Sequence, residues 1–482
     1  MKSVKGVTLV ASALLAGCVN LAPEYQRPEV TSLDPQLENL IGDQVGQSSA
    51  ELDWRQFMVD PKLQQLIELG LGHNRDLQVA YYTLVRAQAQ YGVQRTGNLP
   101  NIDLRAGASN QLLPEALNGT ETISRQYNVD LGILSYELDF FSRIDNLEQQ
   151  ALFSYLGTEQ GRRNTQITVM AQIATTYLSL AANRSLLTLA EETLLSQLES
   201  LSLTQQSFDN GVVSGLDVAQ AEVTVANAQV DLARFRNQIA ADRHQLAQLV
   251  GVPVSEALMP EAIQAQSLAP LMAGLPSALL LNRPDLLQAE YALMAENANI
   301  GAARANYFPT ISLTATAGLL SGDLDDLFSS DARSWNFSPS LTLPIFNWNE
   351  IGANVDIAKA NRDIAVASYQ GAIQSAFREV ADALAARAFL AEQYQAQQAL
   401  VAATGKSFEL SDLRFRQGVD SFYNALDSQR SFFAAQQQLI SLQLSQQTNL
   451  VTLFRALGGG WVGTPAPELE VEELLVRPQP SE

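Results

Sequence analysis

Cysteine occurs once and histidine twice in this chain of 482 residues. One thiol cannot close a disulfide within a chain. The histidines, His73 and His244, lie in separate helical stretches without metal-ligand spacing around them, and read as helix-surface or packing residues. Basic residues are also scarce: 30 Lys and Arg stand against 51 Asp and Glu, for a formal net charge of −21. That balance argues against nucleic acid as a partner, because such affinity comes mainly from Lys and Arg on phosphates. Long apolar runs are missing too. Beyond the N-terminal region none reaches the ~18 residues of a membrane-spanning helix, so any membrane crossing must use strands. There is no Walker-type loop and no catalytic constellation. Glu191-Glu192 and Asp325-Asp326 read as solvated acids, and Asn118-Gly119-Thr120 as a loop. Nothing supports an enzyme, a metal site or a cofactor site.

The single cysteine is placed tellingly. Lys2 and Lys5 precede an apolar stretch from Gly6 to Gly17. This is the layout of an export signal, assigned to residues 1–17. Leu15-Ala16-Gly17-Cys18 resembles the lipobox of bacterial lipoproteins. That resemblance implies cleavage before Cys18, a diacylglycerol on its sulfur and an acyl chain on its new amino group. Position 19 is Val rather than Asp, which favours the outer membrane. Two or more acyl chains anchor stably where one does not.

The rest of the chain is written twice. Asn74-Arg75-Asp76-Leu77 answers Arg283-Pro284-Asp285-Leu286 by way of Asp76 and Asp285, and Gly92, Arg95 and Pro100 answer Gly301, Arg304 and Pro309 at the same spacing. Phe208 to Glu222 answers Phe415 to Gln429, with Gly211 on Gly418, Val212 on Val419 and Ser214 on Ser421. Gly251 and Gly458 close the copies. We read residues 18–52 as an N-terminal linker, 53–252 as the first repeat, 253–276 as a joining segment, 277–460 as the second repeat and 461–482 as a tail. Each repeat runs helix, strand, strand, long helix, tight break, helix. The first helices are expected over 61–94 and 276–306, stopping before Pro100 and Pro309.

Two hairpins are expected, at about 101–140 and 310–346, with loops of about 15 residues rich in Gly, Asn, Ser and Asp. Ile102, Leu104, Ala106 and Ala108 alternate with polar residues, as do Ile311, Leu313, Ala315 and Ala317. Tyr127, Val129, Leu131 and Ile133 share a face, and then the phase slips to Leu134, Tyr136 and Leu138. A bulge or a membrane boundary would explain that. The helices that follow, 143–208 and 349–416, lack proline; ~65 residues unbroken reach on the order of 100 Å. Four strands cannot close a barrel, since spanning barrels need at least eight, and open edges in lipid are costly. Either the hairpins are soluble and packed on helices, or several chains pool their strands.

Taken together, the lipobox, "PEYQRPEV" from Pro23, "NRPDLLQAE" from Asn282, "YFPTISL" from Tyr307, "LTLPIFNWNEI" from Leu341 and the two glycine breaks resemble the TolC family of outer-membrane channels. The likeness is closest to its lipoprotein branch of the NodT and OprM type, which serves resistance-nodulation-division (RND) efflux pumps. It implies a mainly α fold with transmembrane β: a homotrimer whose 12-stranded β-barrel in the outer membrane continues as a long periplasmic α-helical barrel. Joining segment and chain ends would form a belt around its middle. The implied function is a passive exit duct for small molecules such as drugs, with a periplasmic membrane-fusion adaptor and an inner-membrane RND pump as partners. Type I protein secretion, or a lipid-anchored coiled-coil scaffold without a pore, are the alternatives.

The glycine breaks carry the candidate site. Gly211 and Gly418 supply backbone freedom for reversing a helix. Ser214 with Asp217 outlines a capping box, and Ser421 with Asn424 a weaker one. By the resemblance these breaks are the periplasmic tip. Asp217, Asn424 and Asp427 match positions of gate carboxylates, one of them amidated here, and Asp420 partly compensates. Val212, Val213, Val419 and Phe422 would meet the adaptor. The acids also serve simply to start helices, a role compatible with gating.

Overall fold

The computed structural model describes residues 19–28, 53–114, 122–264, 267–271 and 283–459. The signal region, Cys18, most of the N-terminal linker and the tail lie outside the described residues. In order, the elements are α1 (Trp54–Phe57), α2 (Pro61–His73), α3 (Arg75–Thr96), β1 (Ile102–Leu113), β2 (Thr122–Leu138), α4 (Arg143–Asp209), α5 (Gly215–Val250), α6 (Pro284–Ala305), β3 (Thr310–Ser321), β4 (Arg333–Thr342), α7 (Trp348–Arg416) and α8 (Phe422–Ala456). Single turns of 3-10 helix sit at Glu256–Leu258 and Ser330–Ala332. The chain forms two compact units, each discontinuous in sequence.

Among the described residues, the first unit draws on 19–28, 83–114, 122–159 and 288–371 and holds the sheet. Its four strands are antiparallel in the order β1-β2-β3-β4. Register lines up the apolar residues. Leu104 pairs with Leu131, Leu131 with Ala317, and Ala317 with Trp335. One row over, Ile102, Ile133, Ala315 and Phe337 do the same. Because side chains alternate with period two, the opposite face collects Asp103, Gly132, Thr316 and Asn336. The phase slip in β2 is a bulge: register shifts between Ile133 and Tyr136, after which Tyr136 pairs with Leu313 and Leu138 with Ile311. The extra residue returns Tyr136 and Leu138 to the apolar face, which the bare alternation would have denied them. That face is open. Leu104 is 72 % and Trp335 79 % exposed. The connection from β3 to β4, residues 322–332, is shorter than the loops of about 15 expected, because β3 runs on to Ser321 and a 3-10 turn leads straight into β4; Leu327 and Ala332 in it are buried.

Among the described residues, the second unit draws on 53–82, 160–264, 267–271, 283–287 and 372–459 and has the larger core. Trp54, Phe57, Leu63, Leu66 and Ile67 pack against Ile173, Tyr177 and Leu178 of α4, Leu246 of α5 and Phe454 of α8. Phe57 stacks on Phe454 with ring centroids 4.3 Å apart. The joining segment adds Met259, Leu268 and Leu271 to the same cluster.

The helix expected as one piece over 61–94 is two, α2 and α3. Asn74 separates them in an extended conformation. Its side chain accepts from the Leu77 amide at 3.0 Å and donates to the Leu249 carbonyl at 2.7 Å. An Asn that satisfies an N-terminal amide of the next helix favours a break over continuation. In the second repeat, α6 runs from Pro284, and the expected start at 276 falls in residues 272–282, outside the described set.

The sheet's close backbone approach gives a test. A Cβ on Gly132 would lie 2.1 Å from the Ala315 carbonyl oxygen, whereas one on Gly107 would meet only the Asn128 side-chain tip at 2.8 Å. Gly132→Ala is expected to destabilise by about 1–3 kcal/mol through overpacking, and Gly107→Ala by much less. Thermal unfolding followed by circular dichroism checks the contrast; equal midpoints would contradict this packing.

Candidate functional site at the helix reversals

Both long helices end the same way. Gly211 and Gly418 have φ of 71° and 72°, left-handed values that glycine takes without a Cβ clash. At the first reversal the Val212 amide donates to the Ser207 carbonyl and the Gly211 amide to Phe208, each at 2.8 Å. At the second, Val419 donates to Arg414 at 3.0 Å and Gly418 to Phe415 at 2.9 Å. These are paired Schellman closures, which satisfy the last helical carbonyls.

The starts of the returning helices differ. At α5 the capping box is complete: the Asp217 amide donates to Ser214 Oγ, and the Ser214 amide donates to Asp217 Oδ2 at 2.8 Å. At α8 the weaker box expected from Ser421 and Asn424 does not form, and the Ser421 side chain makes no cap bond. Asp420 takes the role instead. Its Oδ1 accepts from the Ser421 amide at 2.9 Å and from Asn424 Nδ2 at 2.7 Å, and its Oδ2 from Arg414 Nε at 3.1 Å. An ionised carboxylate one residue upstream is a stronger acceptor than a neutral amide, so Asn424 donates rather than caps.

Of the residues singled out from the sequence, Val212, Val213, Ser214, Asp217, Gly418, Asp420, Ser421 and Phe422 line one groove of 420 Å³ between the two reversals. Gly211, Val419, Asn424 and Asp427 are not in its lining. Asp427 is exposed on α8. Beneath the groove, buried Ala221, Phe422 and Leu426 pack with Leu201 and Phe415. Apolar side chains at the rim point to water: Val212 is 75 % and Val419 62 % exposed.

Sequence reading overlooked the basic residues here. Arg414 holds Asp420, and Arg416 bonds Asp412 at 2.8 Å and faces Glu199 at 3.7 Å. The signal was present as two arginines in the last turn of a helix, where cations favour the C-terminal dipole. Asp412 stands at i,i+4 spacing on the same helix, but Glu199, on α4, was not readable from spacing.

The Asp420 carboxyl lies below its ordinary range, held there first by Asn424, then by the Ser421 amide and Arg414. A depressed pKa stabilises the folded form above the unfolded value and loses that contribution only as pH falls through the folded one. Protection of the Ser421 amide from hydrogen exchange, corrected for intrinsic rates, should therefore hold from about pH 7 to pH 5 and fail below the ordinary carboxylate range. Loss beginning near pH 5 would contradict the clasp. Phe422→Ala should open the groove floor at a cost of about 3–5 kcal/mol, read as faster exchange across 415–426 with the 54–67 cluster unchanged.

A duplicated chain that pairs helix reversals with a four-stranded sheet, apolar on one open face, has the fold of an outer-membrane channel. Comparison with known proteins agrees. The description of the outer membrane efflux protein family matches residues 66–252 and 275–459. The chain is 44 % identical over 461 residues to the probable efflux pump outer membrane protein TtgC of Pseudomonas putida, covering 94 % of this chain and 95 % of that one. It is 43 % identical over 464 residues to the solvent efflux pump outer membrane protein SrpC of the same species, covering 95 % and 98 %. Among solved structures, the open state of the MtrE outer membrane channel of Neisseria gonorrhoeae aligns with a TM-score of 0.83 at 34 % identity, covering 92 % of this chain and 98 % of that one. A membrane protein from Pseudomonas aeruginosa aligns with a TM-score of 0.85 at 36 % identity, covering 91 % and 100 %. The chain belongs to the outer membrane efflux protein family. It is an efflux protein of the Gram-negative outer membrane, with the TolC-type fold.

Proposed function

We propose that three copies of this chain assemble into the passive exit duct of a tripartite RND-type pump. One observation carries the reading: the sheet has two open edges, β1 and β4, and one continuous apolar face. Unpaired edge groups in lipid cost several kcal/mol each. Pairing β1 of one copy with β4 of the next removes every edge at twelve strands, an even number suited to a water-filled lumen. The apolar face then meets lipid and the polar face lines the pore. Removal of residues 1–17 and acylation of Cys18 would add a lipid anchor. A periplasmic adaptor would seat on the reversals, where Val212 and Val419 are exposed. Three-fold symmetry would set Asp217, Asp420 and Asp427 around the entrance, with Asn424 leaving the ring less acidic than a full set. Relatives named for pumps of antibiotic, toluene and solvent support a small-molecule cargo. An inner-membrane RND pump would supply the energy.

Purified in detergent, the mature protein should run as a trimer and conduct ions in planar bilayers. Asp427→Ala should raise single-channel conductance by removing three carboxylates from the entrance. A water-soluble monomer would overturn the channel; an unchanged conductance in a confirmed trimer would remove Asp427 from the gate. Intact-mass measurement should find the chain beginning at Cys18 with its lipid attached.

A further inference from the structure

Residues 19–28 form an irregular strap laid antiparallel along α6. The Val19 amide donates to the Phe140 carbonyl, just past the end of β2, at 3.3 Å. Asn146 Nδ2 donates to Asn20 Oδ1 at 3.0 Å. Arg304 Nη1 donates to the Leu21 carbonyl at 3.0 Å, and Asn297 Nδ2 to the Pro23 carbonyl at 2.8 Å. At the far end the Tyr25 hydroxyl donates to Glu290 Oε1 at 2.9 Å, and Arg27 grips the same carboxylate from both sides, Nε to Oε1 at 2.7 Å and Nη2 to Oε2. The lengths agree. From 304 back to 290 the helix rises ~21 Å, and an extended chain from 21 to 27 spans ~20 Å.

Two features of α6 make it a built seat. Glu290 has a side chain only 7 % exposed, while Arg27 above it is 45 % exposed. With the strap seated, the acid is covered and its cation keeps one side to the surface. Tyr25 is held protonated well above its ordinary range, by burial first and by Glu290 second. Gly301 supplies clearance: a Cβ there would lie 2.8 Å from the Ala22 Cβ and 2.6 Å from Asn146 Nδ2. The repeat provides an internal control. In the first copy Gly92 and Arg95 stand where Gly301 and Arg304 stand in the second, but Tyr81 replaces Glu290. Nothing lies within 4 Å of a Cβ placed on Gly92. The copy that has the acid has the strap.

We propose that Glu290 is the latch of an N-terminal strap: docking of Tyr25 and Arg27 neutralises a buried carboxylate, and this holds the chain just after Cys18 at the end of β2. Removing the Arg27 cation while Tyr25 and the other strap contacts stay in place would leave the covered carboxylate without its partner, which is costlier than losing an exposed ion pair. The latch itself does not depend on acylation. Its consequence for the anchor rests on the proposed lipid at Cys18: the acyl chains would enter the bilayer beside the Phe141–Phe308 stack, whose centroids are 4.5 Å apart, at the helix-side end of the sheet.

Hydrogen exchange of the 19–28 peptide, measured by mass spectrometry on the full mature chain in detergent, tests this. Arg27→Met should speed exchange at least tenfold. Arg27→Met with Glu290→Gln should exchange more slowly than Arg27→Met alone, because no charge is stranded. Gly301→Leu, which evicts the strap by volume without touching charge, should deprotect the same peptide and serves if Arg27→Met proves too unstable to purify. Wild-type exchange in Arg27→Met or in Gly301→Leu would overturn the latch, as would a double variant that exchanges as fast as Arg27→Met or faster. Conductance recorded on the same samples reports on the channel separately: a pore in a variant with a fast-exchanging strap supports both readings, and a fast-exchanging strap without a pore supports the latch and overturns the channel.

Discussion

Backbone hydrogen bonding at the sheet edges is the constraint on which the rest depends. β1 and β4 each have one neighbour, so each presents a row of unpaired amides and carbonyls. In water such edges invite stray pairing; in hydrocarbon they are prohibitive. A family of outer-membrane proteins must settle that debt between chains, and the internal duplication supplies the means. Each repeat contributes one hairpin, and β2 pairs with β3 although α4, α5 and α6 intervene in sequence.

Register then decides which face can meet lipid. The apolar rows continue across all three strand pairings, and the bulge between Ile133 and Tyr136 keeps them continuous where β2 changes phase. Without the extra residue, Tyr136 and Leu138 would fall on the polar face opposite Ile311 and Leu313. Gly132 and Gly318 sit where neighbouring backbone leaves no room for a Cβ. The bulge, the glycines and the alternation thus serve one requirement, a sheet that is greasy on one side only.

The helix reversals show what duplication preserves and what it lets drift. Both keep the left-handed glycine and the same pair of closing hydrogen bonds, because no other arrangement satisfies the last carbonyls so compactly. Their caps have diverged. Ser214 and Asp217 close on each other, whereas Asp420 gathers Ser421, Asn424 and Arg414. The same divergence separates α3 from α6: both retain the glycine and arginine, but only α6 carries an acid for the N-terminal strap to cover.

Much of this was legible in the residues alone, because it rests on local rules. Alternation marked the strands, missing prolines marked the long helices, and paired glycines marked their reversals, since each follows from period, ring geometry or backbone freedom within a few positions. Contacts between distant segments were not legible. Asn74 broke an apparently continuous helix by reaching the Leu249 carbonyl. Asp420, only six residues past Arg414, displaced the expected cap because the turn between them brings carboxylate and guanidinium together. Glu290 closes one quoted stretch and Tyr25 and Arg27 lie in another, but nothing in the spacing joins them across the length of the chain. Spacing along a sequence reports what neighbours do; which carboxylate finds which cation depends on distances that exist only once the chain has packed.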